Sequence, residues 1–327
     1  MYQDHFQLRE SPFGITPNPA FFYSGNTRGE ILEALLYAVC HGEGIIKVTG
    51  EVGAGKTMLC RMLESQLPPN IEVIYLVNPN LSPVEVQFAI AAELGLPTRG
   101  FRVDEVQRGL HAHLIARHSQ GQQVVLLVEE AQAMPLETLE AIRLLTNLET
   151  ARSKLLQIVL FGQPELDDHL ELSSMRQLRE RITHSFHVPA MAPDLVAEFV
   201  DFRLRAAGRD GPSVFSAAAV RLIADSSEGI VRRINILADK SLLAAFADDA
   251  DVVHKRHVKL AIHESPFGSP FGRRGRKHGI NGNNSRDNTL LNRLMRNSRW
   301  RTVAIGCLLG VLIGAIWFSI LAVTQNL

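Results

Sequence analysis

The sequence is poor in cysteine, and this scarcity excludes one class of protein. Only three cysteines occur in 327 residues, Cys40, Cys60 and Cys307. Three thiols make no disulfide framework, which excludes a small disulfide-stapled secreted domain and is typical of a reducing compartment. The first ten residues, MYQDHFQLRE, also lack the basic start and apolar run of a secretory signal peptide. We therefore expect the body of the chain to stay in the cytoplasm.

Acidic residues are almost missing from one segment near the end of the chain. Residues 273–301 hold nine Arg or Lys and one acid, Asp287. Subtracting these from 34 basic and 34 acidic residues leaves 25 and 33 in the first 272, a net charge of −8. An acidic body lacks the basic surface of a general nucleic-acid binder, so nucleic acid is not an expected partner.

Charged residues are missing altogether from 302–327, TVAIGCLLGVLIGAIWFSILAVTQNL. Residues 302–323 are apolar or small and would form about 33 Å of helix, enough to cross a bilayer. The basic residues of 273–301 predict contacts with anionic lipid headgroups and a single-pass helix with the body on the cytoplasmic side. Gly306, Gly310 and Gly314 form two GxxxG steps, and whether these drive self-association stays open.

Two kinds of pattern divide the preceding residues. Continuous apolar runs at 45–49, 73–77, 124–128 and 155–161 alternate with helical stretches, which predicts a parallel sheet covered on both faces. From about residue 192, only amphipathic helical periodicity occurs. We predict an α/β domain at 1–191, a helical domain at 192–264, a basic linker at 265–301 and a transmembrane helix at 302–323.

The segment GEVGAGKT fits the P-loop pattern and lies between a predicted strand and a predicted helix. Glycines allow the loop to wrap around a triphosphate, Lys56 would reach the β- and γ-phosphates, and the Thr57 hydroxyl would bind Mg²⁺. The sequence therefore predicts ATP and Mg²⁺ as ligands. The predicted nucleotide-binding residues of this segment are Gly50, Glu51, Val52, Gly53, Ala54, Gly55, Lys56, Thr57 and Met58.

Two further predicted strands end in polar residues that suit binding of Mg²⁺ and hydrolysis of ATP. VVLLVEEAQ delivers Glu129, a candidate Mg²⁺ ligand, and Glu130, a candidate to polarise the attacking water. LLQIVLFGQPEL ends in Gln163, which would lie near the γ-phosphate and orient water if its strand runs between the two motif-bearing strands. The segment MRQLRERI places Arg176 and Arg181 on a predicted helix, as candidates for an arginine that neutralises phosphate charge.

These segments, together with FQLRESPFGITPNPAFFY and VRRINILADKSLLAA, resemble the AAA+ ATPases of the general secretion pathway protein A type. That family includes the pilus-biogenesis ATPases of the mannose-sensitive haemagglutinin system. The resemblance covers roughly residues 5–263. It implies an AAA+ fold with a C-terminal helical lid, and sites completed between the subunits of a ring that we expect to be hexameric. It also implies a role with secretion or pilus assembly proteins at the bacterial inner membrane.

The resemblance implies roles for individual residues. Glu130 matches the family's catalytic glutamate and Gln163 its sensor amide. Arg176 or Arg181 matches the arginine finger and Arg232 the lid sensor that contacts nucleotide. The family usually has DEAQ where this chain has Glu129 in place of aspartate, which puts Mg²⁺ positioning and the hydrolysis rate in question.

Three functions compete on these grounds. The leading hypothesis is a membrane-anchored ATPase that supports assembly of a secretion or type IV pilus apparatus. The second is a DNA-binding ATPase for transposition target selection, which the acidic body and the apolar tail disfavour. The third is a nucleotide switch that hydrolyses ATP weakly, because Glu129 replaces aspartate.

Overall fold

A computed structural model describes residues 2–42, 44–150 and 154–267. Its contacts divide the chain into two compact units. Of the described residues, Gly14–Leu195 and Glu228–Arg233 make up the larger unit, and 2–13, Val196–Ser227 and 234–267 make up the smaller. The predicted linker at 265–301 lies outside the described residues except for its first three positions, and the predicted transmembrane helix at 302–323 lies wholly outside them.

The larger unit is an α/β domain built on a five-stranded sheet. The strand order is β2-β3-β4-β1-β5, and each paired neighbour runs parallel. The strands are β1 (Ile45–Thr49), β2 (Ile71–Leu76), β3 (Gln123–Val128), β4 (Leu156–Gly162) and β5 (Ile182–His187). The helices are α1 (Arg28–His41), α2 (Lys56–Gln66), α3 (Pro83–Glu93), α4 (Val103–Ser119), α5 (Leu136–Leu145), α6 (Glu165–Glu171) and α7 (Arg176–Arg179).

Helices cover both faces of this sheet, which explains why its central strands are uninterrupted apolar runs. All seven residues of β4 are buried, as are the last five of β3. Alternate residues of a strand point to opposite faces. Val125 and Leu127 therefore share a core with α1 and α2, whereas Leu126 and Val128 share one with α3, α4 and α5.

The smaller unit is helical and contains α8 (Val196–Ala206), α9 (Ala217–Ser227), most of α10 (Val231–Ala247) and α11 (Lys255–His263). The first residues of the chain pack with these helices. The Arg9 amide donates a hydrogen bond to the Ala207 carbonyl at 2.8 Å, and the buried Arg203 Nε donates to the Pro12 carbonyl at 2.5 Å. The Tyr2 hydroxyl donates to Asp239.

The structure confirms an α/β domain with a parallel sheet and a helical lid, but it corrects two local predictions. Residues 182–187 form a strand that the sequence reading missed, because its polar residues alternate at the edge of the sheet. The helix of MRQLRERI ends at Arg179, so Arg181 does not lie on it.

Two segments belong to a unit that is remote from their position in the chain. Residues 2–13 are part of the helical unit, and Glu228–Arg233 are part of the α/β unit. Within the part of the chain that the structure describes, no helix combines the length and apolarity needed to cross a membrane.

Candidate functional site

The loop Gly50–Thr57 leaves the end of β1 and enters α2 at Lys56. Two of its glycines have left-handed backbones, with φ of 82° at Gly53 and 107° at Gly55, a conformation that favours glycine. A Cβ on Gly53 would lie 2.6 Å from the Cβ of Arg232, so no larger residue fits there without a shift. Ala54 is buried and Val52 is 54% exposed. The loop thus has the backbone that the P-loop pattern predicts.

Lys56 is buried at the first position of α2, where the loop ends. Its Nζ donates hydrogen bonds to the carbonyls of Gly50 at 2.7 Å and Glu51 at 3.1 Å. Burial lowers the pKa of the Lys56 ammonium, and nearby carboxylates, Glu130 first among them, oppose this effect. The ammonium is therefore held beside the loop in a position from which it can turn to a bound phosphate.

Glu129 follows β3 and lies beside the loop. The Thr57 hydroxyl donates a hydrogen bond to Glu129 Oε2 at 3.0 Å, and the Tyr75 hydroxyl donates to Oε1. Burial, followed by the hydrogen bond to Glu129, raises the pKa of Tyr75, which keeps its hydroxyl protonated. The sequence reading missed Tyr75, because it lies within an ordinary apolar strand and no motif marks it. A hydroxyl and a carboxylate at this spacing are the oxygen ligands that Mg²⁺ prefers.

Glu130 and Gln163 meet at the ends of neighbouring strands. The amide Nε2 atoms of Gln163 and Gln132 each donate to Glu130 Oε2 at 2.8 Å, and Gln132 Oε1 accepts from the Gln163 backbone at 2.9 Å. Burial of the Glu130 carboxyl favours its neutral form, but the two amide donors and the charges of Lys56 and Arg232 together lower its pKa. The carboxylate is therefore ionised at neutral pH.

Arg232 and Arg28 both contact the loop. The Arg232 backbone donates to the Gly53 carbonyl at 3.0 Å. The buried Arg28 donates through one terminal nitrogen to the carbonyls of Ala54 at 3.1 Å and Pro189 at 3.3 Å. The other terminal nitrogen of Arg28 has no hydrogen-bond partner among the described residues. Burial lowers the pKa of the Arg28 guanidinium to about 10. Sequence reasoning missed Arg28, because nothing distinguishes it from an exposed arginine at a helix start.

The two arginine-finger candidates make their polar contacts elsewhere. Arg176 is exposed and pairs with Glu180 at 3.0 Å. Arg181 donates to the Thr146 hydroxyl at 2.9 Å, at the end of α5. The structure therefore brings together Lys56, Thr57, Glu129, Glu130 and Gln163, and places neither arginine among them.

This arrangement fits a nucleoside triphosphate with Mg²⁺. The loop supplies a glycine-rich backbone at the start of a helix, where anionic phosphates bind favourably. The side chains around it supply a cation, oxygen ligands for a hard divalent ion, and an ionised carboxylate with an amide beside it.

Solved structures share this fold. The ORC2 protein of Aeropyrum pernix, solved as ADPNP–ADP complexes, has a TM-score of 0.58 at 18% identity and covers 76% of this chain and 72% of that one. Cdc6p of Pyrobaculum aerophilum has a TM-score of 0.57 at 18% identity, with 75% of this chain and 70% of that one covered. At such low identity the likeness shows the fold alone.

Sequence comparisons show which proteins this chain resembles. Residues 40–170 match the family described as AAA domain. General secretion pathway protein A of Aeromonas hydrophila is 40% identical over 265 residues, which is 81% of this chain and 48% of that protein. The chain thus spans about half the length of this relative. The chain therefore contains an AAA domain and is similar to general secretion pathway protein A over 81% of its own length.

Proposed function

We propose that the protein is an ATPase that binds ATP with Mg²⁺ and hydrolyses it. The observation that carries this proposal is that two glutamates beside the P-loop are each hydrogen-bonded to a different polar side chain. Thr57 and Glu129 form an oxygen pair at 3.0 Å, and Glu130 is hydrogen-bonded to Gln163 at 2.8 Å. One pair suits a metal ion and the other suits a water molecule, which are the two things that hydrolysis of a phosphoanhydride needs.

Each residue then has a distinct role. Lys56 would neutralise charge on the β- and γ-phosphates, and Thr57 and Glu129 would hold Mg²⁺, which would supply further charge neutralisation at the phosphate oxygens. Glu130 is ionised at neutral pH, so its carboxylate can take a proton from the attacking water. Gln163 holds that carboxylate and orients the water. Arg232 contacts the loop through its backbone and reports nucleotide occupancy to the helical unit.

We further propose that the chain works as a homo-oligomeric ring, most simply a hexamer. An arginine from a neighbouring subunit then completes each site. Arg176 suits this role better than Arg181, because its side chain is 73% exposed, whereas Arg181 already bonds Thr146 within its own chain.

The cellular role proposed here is assembly of a secretion or type IV pilus apparatus at the bacterial inner membrane. The 40% identity to general secretion pathway protein A supports this role. The apolar residues 302–323 would anchor the chain, with 273–301 on anionic headgroups and the ATPase body in the cytoplasm. The net charge of −8 over the first 272 residues argues against the DNA-binding alternative.

Phosphate release by three full-length proteins tests the enzymatic proposal. We expect Lys56→Ala to abolish nucleotide binding and turnover, because the buried ammonium is lost from the loop. Glu130→Gln should bind ATP normally and lower kcat by about 10²-fold or more, the usual size of a lost general base.

The matched controls are Lys259→Ala and Glu198→Gln, which change exposed residues of the helical unit. If the wild type releases no more phosphate than Lys56→Ala, the ATPase proposal fails. Binding without turnover in the wild type would instead support the nucleotide switch.

A further inference from the structure

Tyr75 lies on β2, next to the strand β3 that Glu129 follows, and on the face of the sheet that α2 covers. In the register between β2 and β3, Tyr75 stands beside Leu127. Both residues belong to the core that also contains Cys60 of α2. Glu129 follows Leu127 by two positions and points to the same face. The strand pairing therefore directs the Tyr75 hydroxyl to the carboxylate that the function assigns to Mg²⁺.

The side chain of Arg61 lies over the ring of Tyr75. The Arg61 guanidinium lies 4.4 Å from the ring centroid, close enough for a cation–π contact. Arg61 is in turn paired with Glu64 at 3.1 Å, one helical turn along α2. Because α2 also carries Thr57, the same helix fixes both groups that contact Glu129.

The two oxygens of Glu129 have different partners. Oε1 accepts from Tyr75, and Oε2 accepts from the Thr57 hydroxyl at 3.0 Å. A glutamate carries one more methylene than an aspartate, which moves its carboxylate roughly 1.5 Å, one carbon–carbon bond, from the backbone and adds a rotatable bond. A hydrogen bond to one oxygen removes that freedom and leaves the other oxygen at Thr57.

We propose that Tyr75 is a positioning residue that adapts Glu129 to Mg²⁺ by holding one carboxylate oxygen so that the other stays beside Thr57. This inference rests on the proposed ATP and Mg²⁺ binding and deepens it. It explains how a chain with glutamate at this position keeps a defined metal site. The hydroxyl acts through its hydrogen bond to Glu129.

The test measures binding of a fluorescent ATP analogue to the full-length protein across a range of MgCl₂ concentrations and in excess EDTA. We expect Tyr75→Phe to raise the half-saturating Mg²⁺ concentration about tenfold, the effect of one hydrogen bond to a charged group. Binding in EDTA should not change, because the P-loop contacts are intact. Tyr37→Phe is the matched control, since Tyr37 is 58% exposed and stacks on His41.

Repeating the test in the Glu129→Asp protein distinguishes a positioning role of the Tyr75 hydroxyl from a general effect on packing. The shorter side chain of Glu129→Asp cannot reach both Tyr75 and Thr57, so Tyr75→Phe should change the Mg²⁺ requirement less than twofold in that background. The inference is overturned if Tyr75→Phe leaves the Mg²⁺ dependence of the wild type unchanged, or raises it equally in both backgrounds. If neither added Mg²⁺ nor the substitution Lys56→Ala changes nucleotide binding, the proposed function is wrong, and the inference about Tyr75 is wrong as well.

Discussion

At the scale of single residues, the site depends on a backbone that only glycine adopts easily. Gly53 has φ of 82°, and Gly95, far along the chain after α3, has φ of 70°. A Cβ at Gly53 would lie 2.6 Å from the Arg232 Cβ, whereas a Cβ at Gly95 would meet no atom within 4 Å. Both glycines have a left-handed backbone, but only a Cβ at Gly53 would collide with another residue. Alanine substitutions at the two positions therefore form a matched pair.

We expect both alanine variants to lose stability, and Gly53→Ala to lose more. Alanine in the left-handed region costs about 1 kcal/mol, which is the whole effect expected for Gly95→Ala. Gly53→Ala must also displace Arg232 or the loop, so its nucleotide affinity should fall as well.

Thermal unfolding and nucleotide titration of the two proteins measure these effects. Equal losses of stability with unaltered nucleotide binding in both variants would show that the approach of Arg232 does not constrain the loop.

At the scale of elements, the strands and helices follow from short-range patterns, and the exceptions have local causes. The predicted strand at 45–49 has the observed bounds. Strand β5 was missed because its residues alternate between half-buried and exposed, with Thr183, Ser185 and His187 facing outward. Such an edge strand lacks the apolar run that marks β3 and β4.

We expect helix α11 to make a pH-dependent contribution to stability through His257. This side chain is fully buried, its Nδ1 accepts from the His254 backbone at 3.0 Å, and Asp248 and Arg256 lie beside it. Burial, followed by the charge of Arg256, lowers the pKa of His257. The unfolded chain, with a histidine pKa of about 6.5, then binds a proton more readily than the folded chain.

This contribution is fully present above pH about 6.5 and is lost as the pH falls toward the lowered folded pKa. Between pH 7 and 5 the midpoint of thermal unfolding should therefore fall more steeply for the wild type than for His257→Asn. Asparagine keeps an acceptor for the His254 amide, and the exposed His111 provides the control His111→Asn. Parallel pH profiles for all three proteins would contradict this assignment.

At the scale of the whole molecule, the chain does not divide at one point along its length. Residues of Met1–Phe13 belong with helices that begin nearly 190 positions later. Phe6 is 1% exposed, and the Phe6 carbonyl accepts from the Arg209 guanidinium at 2.6 Å. The first residues are thus part of the core of the helical unit.

We expect Phe6→Ala to destabilise the helical unit by about 3–5 kcal/mol, the cost of truncating a buried phenylalanine. Phe101→Ala is the matched control, because Phe101 is 45% exposed and its truncation should cost well under 1 kcal/mol. Chemical denaturation of each full-length variant gives both values. A Phe6→Ala protein as stable as Phe101→Ala would show that the Phe6 side chain does not stabilise this unit.

The sequence by itself determined the P-loop, the two acids after β3 and the approximate positions of most strands and helices, because motifs and hydrophobic periodicity are properties of neighbouring residues. Only the tertiary structure decided which distant groups meet. Strand β4 pairs with both β1 and β3, and this brings Gln163 within 2.8 Å of Glu130. The pairing of β2 with β3 brings Tyr75 to Glu129. Strand order and the burial of a polar side chain depend on contacts between residues far apart in the chain, and no local pattern records them.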